Sequence, residues 1–230
     1  MKATEFDAIA DDYHAQHARN IAGSGESPEY FHNYKIADAA AICRRYGVGA
    51  EAILDFGSGI GNSIPAMREH FPAAALTCAD VSQRSLDLSK SRYPGPEVAA
   101  LIAGETLPFE DESFDLAFSA CVFHHIPHVE HASWLREPRR VTKRGGLLVI
   151  FEHNPWNPLT VRAVETCPFD VNARLIAAPA LKASVAAAGY EPLATWYRIF
   201  FPRRLAALRP LEKFMHGFPV GAQYCAIARR

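Results

Sequence analysis

The stretch Ile53-Leu54-Asp55-Phe56-Gly57-Ser58-Gly59-Ile60-Gly61-Asn62 decides the fold. An apolar run of strand length enters three glycines at alternate positions. Ile60, Ile64, Met67 and Phe71 then recur at spacings of four, three and four, one stripe of a helix. Alternating glycines let the main chain turn sharply and let a ligand approach without meeting a Cβ. A helix N-terminus behind such a turn offers unpaired N–H groups. The dinucleotide fingerprint G-x-G-x-x-G would place its third glycine at position 62, where Asn62 stands. The pattern here is G-x-G-x-G with Asp55 two residues ahead, and an acid there suits a positively charged ligand better than a pyrophosphate. The next apolar run ends at Asp80, 23 residues beyond Gly57, where a carboxylate can accept hydrogen bonds from both hydroxyls of a ribose.

Outward from this turn, short apolar runs alternate with amphipathic stretches: Ile53–Phe56, Ala75–Ala79, Val98–Ala103, Phe114–Ala120 and Leu147–Phe151. The last has no polar alternation, as a central parallel strand covered on both faces requires. Strand and helix in repetition give an α/β fold, a doubly wound and mostly parallel sheet with helices on both faces. Residues 1–50 read as a helical cap, broken at Gly23-Ser24-Gly25, with Phe31, Tyr34 and Ile42 near one face of a helix from about Pro28 to Tyr46. Pro138 should kink or restart the helix ahead of the fifth strand. Residues 153–178, with Pro155, Trp156, Pro158 and Cys167-Pro168-Phe169-Asp170, read as a lid or as an ordinary surface loop. The tail reads as two strands, Trp196–Phe201 and Gln223–Ala228, around a helix carrying Leu205, Leu208, Leu211 and Phe214, an antiparallel closure of the sheet.

The chain of 230 residues fits a single domain, and 49% apolar residues suffice for its core. Its 24 basic and 25 acidic residues nearly cancel, so no global field draws in nucleic acid or acidic lipid. No apolar stretch approaches the roughly 18–20 residues needed to span a bilayer, and the N-terminus has no run of signal-peptide length. The five scattered cysteines, Cys43, Cys78, Cys121, Cys167 and Cys225, suit reduced thiols. A cytoplasmic protein without membrane or nucleic-acid partners is expected.

At Asp55, Gly57, Gly59, Gly61 and Asp80 the sequence resembles the class I S-adenosylmethionine-dependent methyltransferases, whose fold is Rossmann-like. The resemblance extends over roughly residues 50–152. It includes Leu107-Pro108-Phe109, Ser113-Phe114-Asp115-Leu116 and the turn Lys143-Arg144-Gly145-Gly146, where Arg144 replaces the family's frequent proline. It implies a seven-stranded sheet with an antiparallel last strand. It also implies that Asp55 and the turn Gly57, Ser58, Gly59, Gly61 hold the methionine end of S-adenosyl-L-methionine, and that Asp80 holds the ribose. Val81 would pack on the adenine, Gly104 and Glu105 would meet its edge, and Ser119 would join the set from the fourth strand. Ala103 stands where many relatives have an acid for the adenine amino group. Tyr13 stands where relatives have a Tyr-Asp pair that closes over the cofactor, with His14 in place of the acid; Tyr30 and Tyr34 either join that cover or pack the cap helix.

Methyl transfer from a sulfonium yields S-adenosyl-L-homocysteine and needs alignment, dryness and, for some acceptors, a base. His125, after the fourth strand, and His153, after the fifth, are the candidate bases, although a histidine after the fourth strand often only shapes the pocket. His124, His125, His128 and His131 resemble metal-ligand spacing, but Pro127 breaks any helix that would align them and no nearby carboxylate completes a site, so no metal is expected. The acceptor is expected to be O or N of a small metabolite, with carbon methylation in quinone-type biosynthesis a close variant. Methylation of RNA or protein is the alternative, suggested by Arg136, Arg139, Arg140, Lys143 and Arg144 and by Arg203, Arg204 and Arg209, although solvated faces explain both runs. A cofactor-binding module without turnover, or a nicotinamide dehydrogenase, would explain the glycine turn differently.

Overall fold

A computed structural model describes residues 16, 19–104, 106–167 and 170–230. Seven strands form one sheet in the order β3-β2-β1-β4-β5-β7-β6. They are β1 (Ala52–Phe56), β2 (Ala75–Asp80), β3 (Val98–Leu101), β4 (Phe114–Ala120), β5 (Thr142–His153), β6 (Glu191–Arg198) and β7 (Gln223–Arg229). The first five are parallel; β7 runs antiparallel between β5 and β6.

The unbroken apolar run of β5 serves two cores at once. Leu147, Val149 and Phe151 face one, with Ile36 and Ile42 of α1 (Pro28–Tyr46) and Ile64 and Met67 of α2 (Ile64–His70). Leu148 and Ile150 face the other, with α4 (His131–Val141) and α6 (Ala178–Ala187) supplying Trp134, Leu135, Leu181 and Val185. Alternate side chains therefore point to opposite faces, and both faces are covered by helices. Between them in sequence, α3 (Gln83–Arg92) is capped by Ser82, whose hydroxyl accepts from the Ser85 N–H.

Three local expectations are corrected. The helix after the glycine turn begins at Ile64, not directly behind the turn, because the intervening N–H groups of Gly61 and Ile64 bond to Ser58 and Gly61 carbonyls. Helix α4 runs through Pro138 without restarting; the Pro138 carbonyl accepts from the Thr142 hydroxyl at 2.6 Å, which ties down the helix end. The stripe Leu205, Leu208, Leu211 and Phe214 lies on a 3-10 segment (Arg203–Phe214) that is kinked at Leu205, where the backbone leaves helical angles, so no single regular helix carries it. These four side chains are exposed and pack no core.

Within 153–178 a regular element appears, α5 (Pro158–Glu165). Asn157 caps it, its Oδ1 accepting from the N–H groups of Leu159 and Thr160, and Pro158 takes the first helical position, where no N–H is needed.

Candidate active site

The strand order reverses between β1 and β4, so a crevice opens outside their carboxyl ends. A cavity of about 680 Å³ lies there, bounded by the glycine turn, α1, α5 and the segments after β4 and β5. Among the described residues no helix is long and apolar enough to cross a membrane.

The first wall is built from main chain. Gly57 has φ 76°, and a Cβ there would meet Val122 Cγ2 at 2.4 Å, so the turn presses directly on the segment after β4. Gly59 has φ 53° with open space where a Cβ would point. The Asp80 carboxylate fastens this turn to β2: Oδ2 accepts from the Gly59 N–H at 2.8 Å and Oδ1 from the Ser82 N–H at 2.9 Å. Asp80 itself lines the cavity. Asp55 is 2% exposed, and its Oδ2 has no hydrogen-bond partner among the described residues. The buried hydroxyls of Ser58 and Ser119 lack partners in the same way. Burial, and then the Asp80 charge, raise the Asp55 carboxyl to about 7, against the opposing pull of Lys35.

Asp55, Gly57, Ser58, Gly59, Asp80, His125 and His153 thus line one cavity, while Gly61, Val81, Gly104 and Ser119 do not line it. Val81 is buried in the apolar cluster with Ala79 and Ile102. Tyr13, Glu105 and Phe169 lie outside the described residues. Tyr30 packs on Phe31 beneath the Arg209 guanidinium, and the Tyr34 hydroxyl donates to Gln223 Oε1. Helix α1 instead sends Phe31, His32 and Lys35 into the cavity.

The opposite wall is built from side chains. Lys35 is 5% exposed, with Nζ 3.4 Å from the Cys121 sulfur. Cys121 begins the turn after β4 at φ 59°, a left-handed conformation rare for a residue with a Cβ. Burial would raise its thiol, but Lys35 and then His153 outweigh burial and bring it down to about 6. His153 lies beside it, with Nδ1 3.4 Å from the Gln223 amide nitrogen, a contact that orients the ring and is too long to fix its tautomer.

Behind them, the fully buried Glu152 accepts from the N–H groups of Val122 and Phe123 through Oε1, and from His124 Nδ1 through Oε2 at 2.7 Å. Burial opposes its charge, but His124 outweighs it and holds the carboxyl well below the usual range. Asp170 Oδ1 lies 3.6 Å from Nε2 of both His124 and His125. Burial, together with the neighbouring His124, brings the His125 imidazole down to about 3 against the pull of Asp170, so this ring stays neutral. His128 and His131 are turned elsewhere. His131 Nε2 lies 3.0 Å from the Phe123 and Ile126 carbonyls, and His128 Nε2 lies 3.2 Å from that of Arg174.

The sequence pattern missed Lys35, Cys121, His124, Glu152 and Asp170 as members of the site. Lys35 carried a signal, one charge four residues after Phe31 on the apolar face of α1. Asp170 carried none, since it reaches His124 from 46 positions away through an irregular segment.

The glycine turn, the acid ending β2 and the seven-stranded order define a Rossmann-like cofactor-binding protein. Residues 54–150 match the family model described as a methyltransferase domain. The demethylmenaquinone methyltransferase of Thermotoga maritima is 35% identical over 112 residues, covering 48% of this chain and 47% of that protein. The malonyl-[acyl-carrier protein] O-methyltransferase of Methylococcus capsulatus is 33% identical over 107 residues, covering 46% of this chain and 38% of that protein. The chain thus spans less than half the length of these curated relatives. A crystal structure from Thermotoga maritima, of an S-adenosylmethionine-dependent methyltransferase described as a possible histamine N-methyltransferase, superposes with a TM-score of 0.70. It covers 99% of this chain and 98% of that one at 18% identity, a likeness of fold. Residues 54–150 thus match a methyltransferase domain, and the fold of the chain is similar to that of an S-adenosylmethionine-dependent methyltransferase.

Proposed function

We propose that this protein transfers a methyl group from S-adenosyl-L-methionine to O or N of a small metabolite. The observation that carries this reading is the buried, unpartnered Asp55 Oδ2 beside the open flank of Gly59, a cradle for a cationic amino-acid end against bare main chain. Ser58 lends a second buried polar atom to the same cradle, and Asp80, which lines the cavity, is the acid we assign to the ribose hydroxyls. When bound, the cofactor supplies a methyl on a sulfonium: the S–C bond breaks as the acceptor–C bond forms, and the electron pair returns to sulfur. The chain's own part is to align the acceptor, exclude water and take its proton.

His153 is the residue to which we assign that proton. It lines the cavity, between the Gln223 amide and the Cys121 sulfur. His125, held neutral, is a poorer proton acceptor and borders the acceptor instead. Segment 153–178 borders this end of the cavity through Asn157, the cap of α5, and through Leu159, Thr160 and Arg162 within it, which supports its assignment as the substrate segment.

A small acceptor is favoured over RNA by where the basic residues sit. Arg140 pairs with Glu137 and Asp111, Lys143 with Asp115 and Arg144 with Glu112. This run also spans the end of α4 and the start of β5, and none of its residues lines the cavity. The likeness to a demethylmenaquinone methyltransferase keeps carbon methylation as the second reading. Five free cysteines support a reducing, cytoplasmic compartment. Transfer of labelled methyl from the cofactor into pooled metabolites, RNA and protein tests the assignment. Label in the low-mass fraction is expected; label confined to RNA or protein would contradict it.

A further inference from the structure

Beyond the cofactor cradle, the turn after β4 and the segment after α5 converge on one point of the cavity wall. We propose that His124, His125 and Asp170 hold a divalent transition-metal cation, open on its cavity side to an oxygen of the acceptor. The cation site rests on the geometry of these side chains; its use on the acceptor rests on the methyl-transfer reading above.

Three observations support it. First, the donor atoms converge: Nε2 of His124 and of His125 each lie 3.6 Å from Asp170 Oδ1, and the three donors lie within 4.8 Å of one another. Ligand bonds of about 2.0–2.2 Å in a tetrahedral arrangement separate donors by roughly 3.4 Å, so little movement is needed. Second, an outer partner is in place. Glu152 Oε2 takes the Nδ1–H of His124 at 2.7 Å, which turns the Nε2 lone pair toward Asp170, and Glu152 is itself held by two main-chain N–H groups. A carboxylate behind a ligating imidazole is how such ligands are usually oriented and made more basic. Third, the two segments are tied together by main chain: the Arg174 N–H donates to the His124 carbonyl at 2.7 Å, which keeps Asp170 opposite the histidines.

Two imidazoles and one carboxylate, with further positions facing a cavity, form the donor set of a reactive rather than a closed structural site. A cation there would withdraw charge from a hydroxyl oxygen of the acceptor, so that its proton leaves more readily, with His153 within reach across the His124 ring at 5.2 Å between centroids. This favours an oxygen acceptor over nitrogen or carbon. It also departs from the expectation of no metal, because the carboxylates that the sequence did not place beside the histidines, Glu152 and Asp170, are brought there by the fold. Without a cation, His124 would instead stand as an imidazolium between those two carboxylates, and that is the competing state the experiment must separate.

The metal-free full chain is titrated with Zn²⁺ by calorimetry, with Co²⁺ absorption read in parallel, and each sample is then titrated with S-adenosylhomocysteine. One Zn²⁺ per chain is expected, with a Co²⁺ spectrum of low coordination number. Glu152→Gln should weaken Zn²⁺ binding about 10- to 100-fold. Asp170→Asn and His125→Ala should weaken it at least as much, while His128→Ala leaves it unchanged. Absence of stoichiometric Zn²⁺ binding, or equal affinity in Asp170→Asn, would overturn the cation site. S-adenosylhomocysteine binding without Zn²⁺ binding would overturn the cation alone; Zn²⁺ binding without S-adenosylhomocysteine binding would overturn the methyl-transfer reading and leave the cation site standing.

Discussion

The two walls of the cavity are made by different means. On the side we assign to the cofactor the surface is main chain: a glycine turn, fastened by Asp80 to the end of β2, whose contacts span little more than twenty residues. On the acceptor side it is a mesh of side chains from α1, β4, β5 and the segment around Asp170, in which Glu152 serves three donors at once. A main-chain wall tolerates change outside the turn and presents one geometry to one ligand. A side-chain mesh can be rebuilt residue by residue, which is the part of such a fold that can vary with the acceptor. The first wall should therefore control cofactor affinity with little effect on chemistry, and the second should do the reverse.

The sharpest test of that division is His153→Ala. Turnover should fall about 10²- to 10⁴-fold while affinity for S-adenosylhomocysteine stays unchanged; a matched loss of cofactor affinity would break the comparison. Glu152→Ala leaves His124 and two buried N–H groups without their acceptor, so unfolding stability should drop by about 3–5 kcal/mol in denaturant titration. A drop of well under 1 kcal/mol would mean that water or local rearrangement replaces it. Asp80→Ala acts on the other wall and should weaken S-adenosylhomocysteine binding about 10- to 150-fold, the loss of hydrogen bonds to a charged group.

The smallest effect concerns pH. Asp55 titrates at about 7 in the folded chain against an ordinary 3.8, so its native carboxyl holds a proton that the unfolded chain has already lost. Its contribution to stability therefore falls as pH rises from about 4 to about 7. A cationic ligand needs the carboxylate, so affinity for S-adenosylhomocysteine should rise several-fold between pH 6 and pH 8. Asp55→Asn should flatten that rise; the same slope in the variant would assign it to another group.

The ease of reading these walls from sequence follows from how they are built. The strands, the parallel order and the glycine turn with Asp80 at the cavity were legible because each rests on local pattern: apolar runs without alternation, alternating glycines, an acid at a strand end. Asp55, Gly57 and Asp80 stand where that pattern puts them. The start of α2 was displaced because the turn satisfies its own N–H groups before the helix begins, which no spacing of apolar residues discloses. The acceptor wall was half legible. His125 and His153 follow strands and could be named, but Glu152 is a buried acid inside a strand-end run, and Lys35 and Asp170 meet the others only through tertiary folding. Histidines 124, 125, 128 and 131 look equivalent in sequence; the fold turns the first pair to the cavity and the second pair to main-chain carbonyls.

The central claim is that the glycine turn with Asp55 and Asp80 is a cradle for S-adenosylmethionine. Calorimetric titration of the purified chain with S-adenosylhomocysteine, with NAD in parallel, tests it most directly. Binding of S-adenosylhomocysteine at one site per chain, with none of NAD, is the predicted result. Binding of NAD alone, or of neither, would contradict it.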